Sequence, residues 1–157
     1  MFCVGVNVMV YQLVYFSRFT PVGAGPSSTI RDILRTSEAK NFVNGITGFL
    51  IFDKSSFVQV LEGDQAAVLE TYERIGDDPR HADLAVIDSR RAKARDFSDW
   101  AMGGHLRSDE TQDIYVRHGV TSGFDPAKIS ADGIVALARD LMAFETRRQS
   151  QRIVGAA

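Results

Sequence analysis

Residues 47–61 read TGFLIFDKSSFVQVL, two apolar runs separated by the polar turn Asp53-Lys54-Ser55-Ser56. The runs, residues 47–52 and 57–61, are rich in β-branched and aromatic residues, which favour strands. Two such runs joined by a short polar turn are typical of a β-hairpin. This stretch therefore predicts two neighbouring antiparallel strands.

Apolar spacing on either side of this hairpin predicts four further elements. They are a strand over residues 11–17, a helix over about residues 28–42, a helix over residues 68–75 and a strand over residues 84–88. The resulting order β-α-β-β-α-β is that of the ferredoxin-like α+β fold, in which both helices cover one face of the sheet. Residues 97–106 are a candidate fifth strand, interrupted by Gly103-Gly104. For the first helix, the N-cap candidates are Ser27, Ser28 and Thr29.

The second face of the predicted sheet also needs a cover, because both alternating sets of strand residues are apolar. After Arg107 the pattern changes to a short helical stretch at residues 109–118 and a longer helix at residues 130–149. One side of the longer helix is formed by Ile134, Leu137, Ala138, Leu141 and Glu145. We expect these C-terminal helices to cover the face that the first two helices leave open.

The composition indicates one ordinary soluble domain. Of its 157 residues 45% are apolar, and 18 Lys and Arg against 20 Asp and Glu give a formal charge of −2. A mildly acidic chain has no general attraction for phosphate polymers, so we expect no nucleic acid partner. Asn7 and Gln12 interrupt the apolar stretch of residues 1–16 before it reaches the ~20 residues of a membrane span. We therefore expect neither a signal peptide nor a membrane partner.

The cysteine and histidine content excludes two kinds of site. Cys3 is the single cysteine, and the three histidines are scattered. A single cysteine cannot form an intramolecular disulfide or a cysteine-cluster metal site, and the histidines have none of the spacings of a zinc site. The sequence therefore predicts no metal and a reducing, cytoplasmic location.

Several polar side chains occupy positions that the pattern assigns to the interior. Ser37 and Asn41 continue the apolar stripe of the first helix, Gln59 lies between two valines, and Tyr15 lies on a strand expected beside it. Taken singly, Asn41 is explained as a helix cap, Gln59 as bonded to the backbone and Tyr15 as a packed aromatic. Taken together, two amides and a phenol facing one gap between helix and sheet favour a flat heterocycle with donors and acceptors along one edge.

In five ordered segments between residues 11 and 106, the chain resembles the BLUF domain, a blue-light sensor that uses flavin adenine dinucleotide (FAD). The segments are LVYFS (13–17), NFVNGITGFL (41–50), FVQVLEG (57–63), DPRH (78–81) and RDFSDWAMG (95–103). The resemblance implies a flavin-binding photosensor domain over residues 1–107. It also implies a helical extension over residues 108–157 that serves output and oligomerisation, as in short BLUF proteins.

The resemblance also implies roles for individual residues. Tyr15 matches the photoactive tyrosine, which gives an electron to excited flavin, and Gln59 matches the glutamine that bridges this phenol and the flavin N5/O4 edge. Asn41 matches the asparagine that pairs with the N3/O4 edge. Arg80 and His81 match a pair at the pyrimidine end of the ring, where a donor to O2 is expected. The remaining implied positions are Ile33 and Lys40 as cofactor contacts, and Trp100, Met102 and Ser37 as the relay of the signal.

The function implied is that of a photoreceptor without enzymatic activity, homo-oligomeric and acting on an unidentified downstream signalling protein. Two other classes share the predicted strand and helix order. A ferredoxin-like dark flavoenzyme needs a poised nucleophile or an acid/base pair, and no Ser-His-Asp set is apparent. An RNA-binding module using the basic run of residues 90–95 needs aromatic side chains on an exposed sheet face. Colour and a light-induced red shift discriminate the three classes.

Overall fold

The computed structural model describes residues 9–155. Cys3 and most of the apolar N-terminal stretch, on which the predictions about disulfides and export depend, lie outside them. The elements are β1 Val10–Phe19, α1 Pro26–Asn44, β2 Thr47–Phe52, β3 Ser56–Gly63, α2 Gln65–Asp77, β4 His81–Ala92, β5 Gly103–Leu106, α3 Gln112–Arg117 and α4 Ala131–Gly155. A short 3-10 turn, Asp109–Thr111, precedes α3. The predicted ferredoxin-like α+β order is confirmed.

The five strands form one sheet in the order β4-β1-β3-β2-β5. β2 and β3 pair antiparallel around the predicted turn, with Phe52 opposite Phe57. β1 pairs antiparallel with β3, which brings Tyr15 directly opposite Gln59. β5 runs parallel to β2 at one edge of the sheet. The register therefore places the two candidate photoactive residues side by side on one face.

Each face of the sheet is covered by its own pair of helices, as the sequence predicts. On the face of α1 and α2, the buried side chains include Leu13, Tyr15, Leu50, Phe57 and Leu61. On the opposite face, Val14, Phe49, Val58 and Val60 pack against Ile134, Leu137, Ala138 and Leu141 of α4. The molecule thus has three layers, with the sheet in the middle.

The start of α1 differs from the prediction. Its N-cap is Gly25, which has extended backbone and makes no side-chain capping bond, and Pro26 is the first helical residue. Proline suits this position because its fixed φ is already helical and its missing N–H would have had no partner in the helix. Ser27, Ser28 and Thr29 consequently lie inside the first turn, and the predicted caps are wrong.

The fifth strand is confirmed, but it is shorter than the candidate segment. It covers only Gly103–Leu106, so Gly103 and Gly104 begin the strand rather than interrupt it. A Cβ atom at Gly104 would lie 2.6 Å from the side chain of Leu34, and one at Gly103 would collide with the ring of Trp100. The two glycines therefore allow α1 and Trp100 to pack closely on opposite faces of β5.

A fully buried carboxylate holds the segment before β5 in place. Glu62, near the end of β3, accepts hydrogen bonds from the backbone N–H groups of Asp96 (2.7 Å) and Phe97 (2.9 Å). It also accepts from Gln12 Nε2 at 3.1 Å, and the Gln12 carbonyl in turn accepts from Arg90 Nε at 2.8 Å. Residues 96–102 are therefore tied to β3 before they reach the strand.

We expect Glu62→Ala to lower the free energy of unfolding by about 2–4 kcal/mol, because each buried N–H left without an acceptor costs about 1–3 kcal/mol. The measurement is urea denaturation of the variant beside the wild type. Glu70→Ala, on the exposed surface of α2, is the matched control and should be near neutral. A Glu62→Ala loss no larger than that of the control would contradict the anchoring role.

Candidate functional site

A cleft between α1, α2 and the sheet brings together the predicted site residues. All eight residues predicted as cofactor contacts or placed beside them line this cleft: Tyr15, Ile33, Ser37, Lys40, Asn41, Gln59, Arg80 and His81. α1 contributes four of them in successive turns, and the others come from β1, β3 and the start of β4. Spacing along one helix and parity along the strands together produce the site.

The centre of the cleft holds a short series of hydrogen-bonded side chains. The buried phenol of Tyr15 donates to Gln59 Oε1, and Gln59 Nε2 donates to Met102 Sδ at 3.1 Å. The amide orientation follows from these partners, since a phenol O–H needs an acceptor and a thioether needs a donor. Burial, with smaller contributions from Tyr72 and Asp78, raises the pKa of Tyr15 far above its ordinary value. Tyr15 is therefore a neutral phenol with its proton directed at Gln59.

Asn41 is nearly fully buried, and its side chain does not cap α1. Its Nδ2 donates to the backbone carbonyl of Ala101 at 3.0 Å, while its own backbone carbonyl accepts from the N–H of Ile46 at 2.9 Å. The helix end is thus closed by the Asn41 backbone, and the side-chain amide, whose Nδ2 is bonded to Ala101, lines the cleft. Asn41 and Gln59 contact consecutive residues, Ala101 and Met102, immediately before β5.

The end of the cleft near β4 carries a fixed cation. Arg80 Nη2 lies 2.6 Å from Asp78 Oδ2, and Arg80 Nη1 lies 2.9 Å from Asp32 Oδ2. Burial raises the pKa of the Asp78 carboxyl, but the hydrogen bonds and charge of Arg80 outweigh it and hold that pKa below its ordinary value. Asp78 therefore stays ionised and orients the guanidinium at the cleft.

His81 next to Arg80 is neutral. Burial lowers the pKa of His81 to about 4, although the nearby Asp78 opposes the shift. Its Nδ1 lies 2.7 Å from Ser17 Oγ on the neighbouring strand. The neutral His81 ring packs against Phe57, at a distance of 4.4 Å between ring centroids. Arg80 is therefore the charged donor at this end of the cleft.

Other lining residues were missed by the sequence reasoning: Thr36, Leu50, Thr71, Arg74, Ile75 and Asp78. Four of them, Thr71, Arg74, Ile75 and Asp78, follow one stripe of α2 and its end, at the spacing of successive helical turns. That stripe adjoins the apolar face that Val68 and Tyr72 mark in the sequence. The signal that could have found them is the helical spacing of residues on the side of α2 that faces α1.

The relay residues occupy different sides of the sheet. Met102 packs with the cleft-side core and contacts Gln59, whereas Trp100 packs on the opposite side, 6.0 Å from the ring of Phe49 between centroids. Ser37 lines the cleft one turn after Leu34, whose side chain lies against Gly104. In this structure Met102 is therefore the neighbour of Gln59, and the relay role of all three residues stays a prediction.

The side chains in the cleft fit the flavin that the resemblance implies. Ile33, Leu50 and Ile75 supply apolar walls, and Asn41 and Gln59 supply amide donors and acceptors. The exposed cations of Lys40 and Arg74 are available for phosphate groups. An apolar cleft with a few convergent polar groups is the usual form of a cofactor site. Within residues 9–155, no cluster of His, Cys, Asp and Glu is arranged to hold a metal ion.

Comparison with known proteins agrees with this geometry. The family model BLUF, described as sensors of blue-light using FAD, matches residues 10–103. A photoactivated adenylate cyclase subunit beta of Euglena gracilis is 38% identical over 71 residues, which cover 45% of this chain and only 8% of that protein.

Solved structures match over a larger share of the chain. The photo-activated state of BlsA superposes with a TM-score of 0.73 at 26% identity, covering 85% of this chain and 94% of that one. The dark state of BlrB, a BLUF protein, superposes with a TM-score of 0.70 at 30% identity, covering 87% and 97%. Both matches extend beyond the region of the family model, so the C-terminal helices share in the likeness.

Proposed function

Because the chain belongs to the BLUF family of blue-light sensors, we propose that it is a photoreceptor that binds FAD in the cleft between α1 and α2. The observation that supports this most is the hydrogen-bonded series from Tyr15 through Gln59 to Met102. It joins an oxidisable phenol to an amide, and the amide to the segment that leads into β5. A cleft that only bound a cofactor would need no such series.

The residues that hold the flavin are those whose polar atoms face the cleft. Asn41 offers a donor and an acceptor to the N3/O4 edge, and Arg80 offers a charged donor to O2. Ile33 would pack against the ring, and the exposed Lys40 lies at the mouth of the cleft. Bound flavin supplies the absorption of blue light and accepts an electron.

The protein's part of the photoreaction is a change of hydrogen bonding. Tyr15 gives up one electron, its phenolic proton moves along the bond towards Gln59 Oε1, and both return, so that no net oxidation results. Gln59 meanwhile rearranges by rotation or tautomerisation. Rotation would place its carbonyl oxygen against Met102 Sδ, where two acceptors face each other without a proton. If Gln59 rotates, its hydrogen bond to Met102 is thus lost in the lit state.

Output is assigned to the part of the chain after Arg107. We propose a sensor domain over residues 1–107 and an output and assembly segment over residues 108–157, acting on a downstream protein and on a second copy of the chain. No enzymatic activity, nucleic acid partner or membrane partner is proposed, and the location is the cytoplasm. The chain spans only 8% of the cyclase relative, so that protein's activity is not carried over. Among the described residues, no helix is long and apolar enough to cross a membrane.

The two alternative classes find less support in the geometry. An RNA-binding module would need an open sheet face, and within residues 9–155 α4 packs on the face that α1 and α2 leave free. Of the basic run, Arg90 is bonded to Gln12 and Arg95 to Thr47. A dark flavoenzyme differs from a photoreceptor in showing no spectral response to light.

The test of the proposed function begins with colour. Purified protein should be yellow, and the flavin released from it should be FAD when FAD and FMN are offered together during refolding. Blue light should shift its flavin band to the red, and the band should return in darkness. A protein that stays colourless after refolding with both flavins would contradict the proposal.

Asn41→Ala should weaken flavin binding by about 1–3 kcal/mol, the cost of leaving one polar edge without its partner. Isothermal titration of apo-protein with FAD measures the change. Asn44→Ala is the matched control, because Asn44 is exposed at the end of the same helix and lies outside the cleft. Equal FAD affinities of the two variants would show that Asn41 has only a structural role.

A further inference from the structure

β5 carries a buried histidine on the face opposite the cleft. Met102, just before the strand, contacts Gln59 on the cleft side. Three residues later, His105 is 2% exposed and packs towards α4. Its Nδ1–H donates to Glu145 Oε1 at 2.8 Å, and its Nε2 lies 2.9 Å from Thr111 Oγ1. The four residues 102–105 therefore link the photoactive Gln59, which bonds to Met102, to α4, which bonds to His105.

The polar contact between β5 and α4 is placed where an apolar one would be expected. Glu145 continues the stripe of Ile134, Leu137 and Leu141, whose side chains are buried in the core. A buried polar group must be paired to avoid a cost, and its hydrogen bond weakens steeply when the bond angle is distorted, whereas apolar burial is not directional. The directional bond between His105 and Glu145 is thus the contact most sensitive to the position of β5.

β5 is also the strand best able to move. It has four residues, lies at the edge of the sheet and, within residues 9–155, pairs only with β2. A displacement of such a strand leaves the pairing among β1, β2, β3 and β4 intact. Loss of the bond from Gln59 to Met102 acts directly on the residue before it.

We propose that His105 and Glu145 form the contact through which a change at Gln59 and Met102 reaches α4. This inference rests on the proposed photoreceptor function and adds a specific route to the C-terminal helix. His105 acts as a positioning residue, since it contacts neither the cleft nor its lining side chains. In the dark its bond fixes Glu145, and a shift of β5 in the light releases this part of α4.

The chain provides a matched control in a second histidine and carboxylate pair. His118 Nε2, just after α3, lies 2.6 Å from Asp140 Oδ2 of α4. This pair is more exposed and joins α4 to the end of α3 rather than to β5. Breaking it removes a similar bond from the same helix without touching the proposed route.

The experiment is hydrogen exchange measured by mass spectrometry on the full-length, flavin-loaded protein, in darkness and under steady blue light. The wild type should exchange faster in peptides of α4 in the light. Glu145→Leu should keep the red shift of the flavin band but reduce the light-minus-dark difference in α4 to about a fifth or less. His105→Phe should do the same. Glu145→Gln, which keeps an acceptor for His105, should restore at least half of the difference, and Asp140→Leu should leave it unchanged.

Two results would overturn the inference while leaving the photoreceptor function standing. One is a wild-type protein with a normal red shift and no light-dependent exchange in α4. The other is a full light-dependent difference in both Glu145→Leu and His105→Phe. A wild-type protein that binds flavin but gives no red shift would instead contradict the proposed function, and this inference with it.

Discussion

Tyr15→Phe is expected to bind flavin, remain yellow and form no red-shifted state under blue light. Phenylalanine keeps the ring that packs edge-on against Tyr72 at 5.4 Å, but it lacks the O–H that donates to Gln59. It also lacks a phenol that can be oxidised and deprotonated reversibly. The expected effect is complete loss of the light response, measured as the light-minus-dark absorption spectrum.

The neighbouring phenol provides the control for this prediction. Tyr72→Phe removes a hydroxyl group from the ring that touches Tyr15, yet Tyr72 makes no bond to Gln59. This variant should keep the red shift. A normal red shift in Tyr15→Phe would show that the photoreaction does not require the bond between Tyr15 and Gln59.

Gln59→Leu should likewise retain flavin and lose the red-shifted state entirely. The leucine side chain is similar in size to that of glutamine, so the cleft keeps its walls. Asn41 still offers its amide to the flavin. The group whose hydrogen bonds rearrange is gone, and with it the bonds to both Tyr15 and Met102. The same difference spectrum measures this variant, under identical illumination.

Met102→Leu separates the two bonds that Gln59 makes. It removes only the sulfur acceptor, so the red shift should form while the rate of return in darkness changes.

A reversible red shift of normal size in Gln59→Leu would refute the assigned mechanism, even with flavin bound.

Much of the fold follows from periodicity in the sequence. The alternation in residues 47–61 fixes the hairpin and its two faces, and the same parity places Tyr15 and Gln59 together on one side. Helical spacing along α1 brings Asn41 to the cleft. These elements are predictable because each depends on a repeat of two or about 3.6 residues that local sequence displays.

The parts that could not be predicted depend on contacts distant in the chain. Glu62 binds backbone N–H groups 34 and 35 residues away, and backbone donors leave no mark in the sequence. His105 and Glu145 are 40 residues apart, and neither pattern indicates the other. The apolar residues in residues 93–102 follow neither a helical nor a strand repeat. Which of Met102 and Trp100 lies beside Gln59 is therefore decided by tertiary packing, which the local sequence does not display.

We propose that this cleft holds a flavin whose hydrogen bonds change in blue light through Tyr15 and Gln59. The light-minus-dark absorption spectrum of the purified wild-type protein loaded with FAD tests this proposal. We expect a flavin band that shifts to the red on illumination, keeps its oxidised shape and returns fully in darkness through repeated cycles. A bound flavin whose spectrum is unchanged by blue light, or that only bleaches, would contradict it.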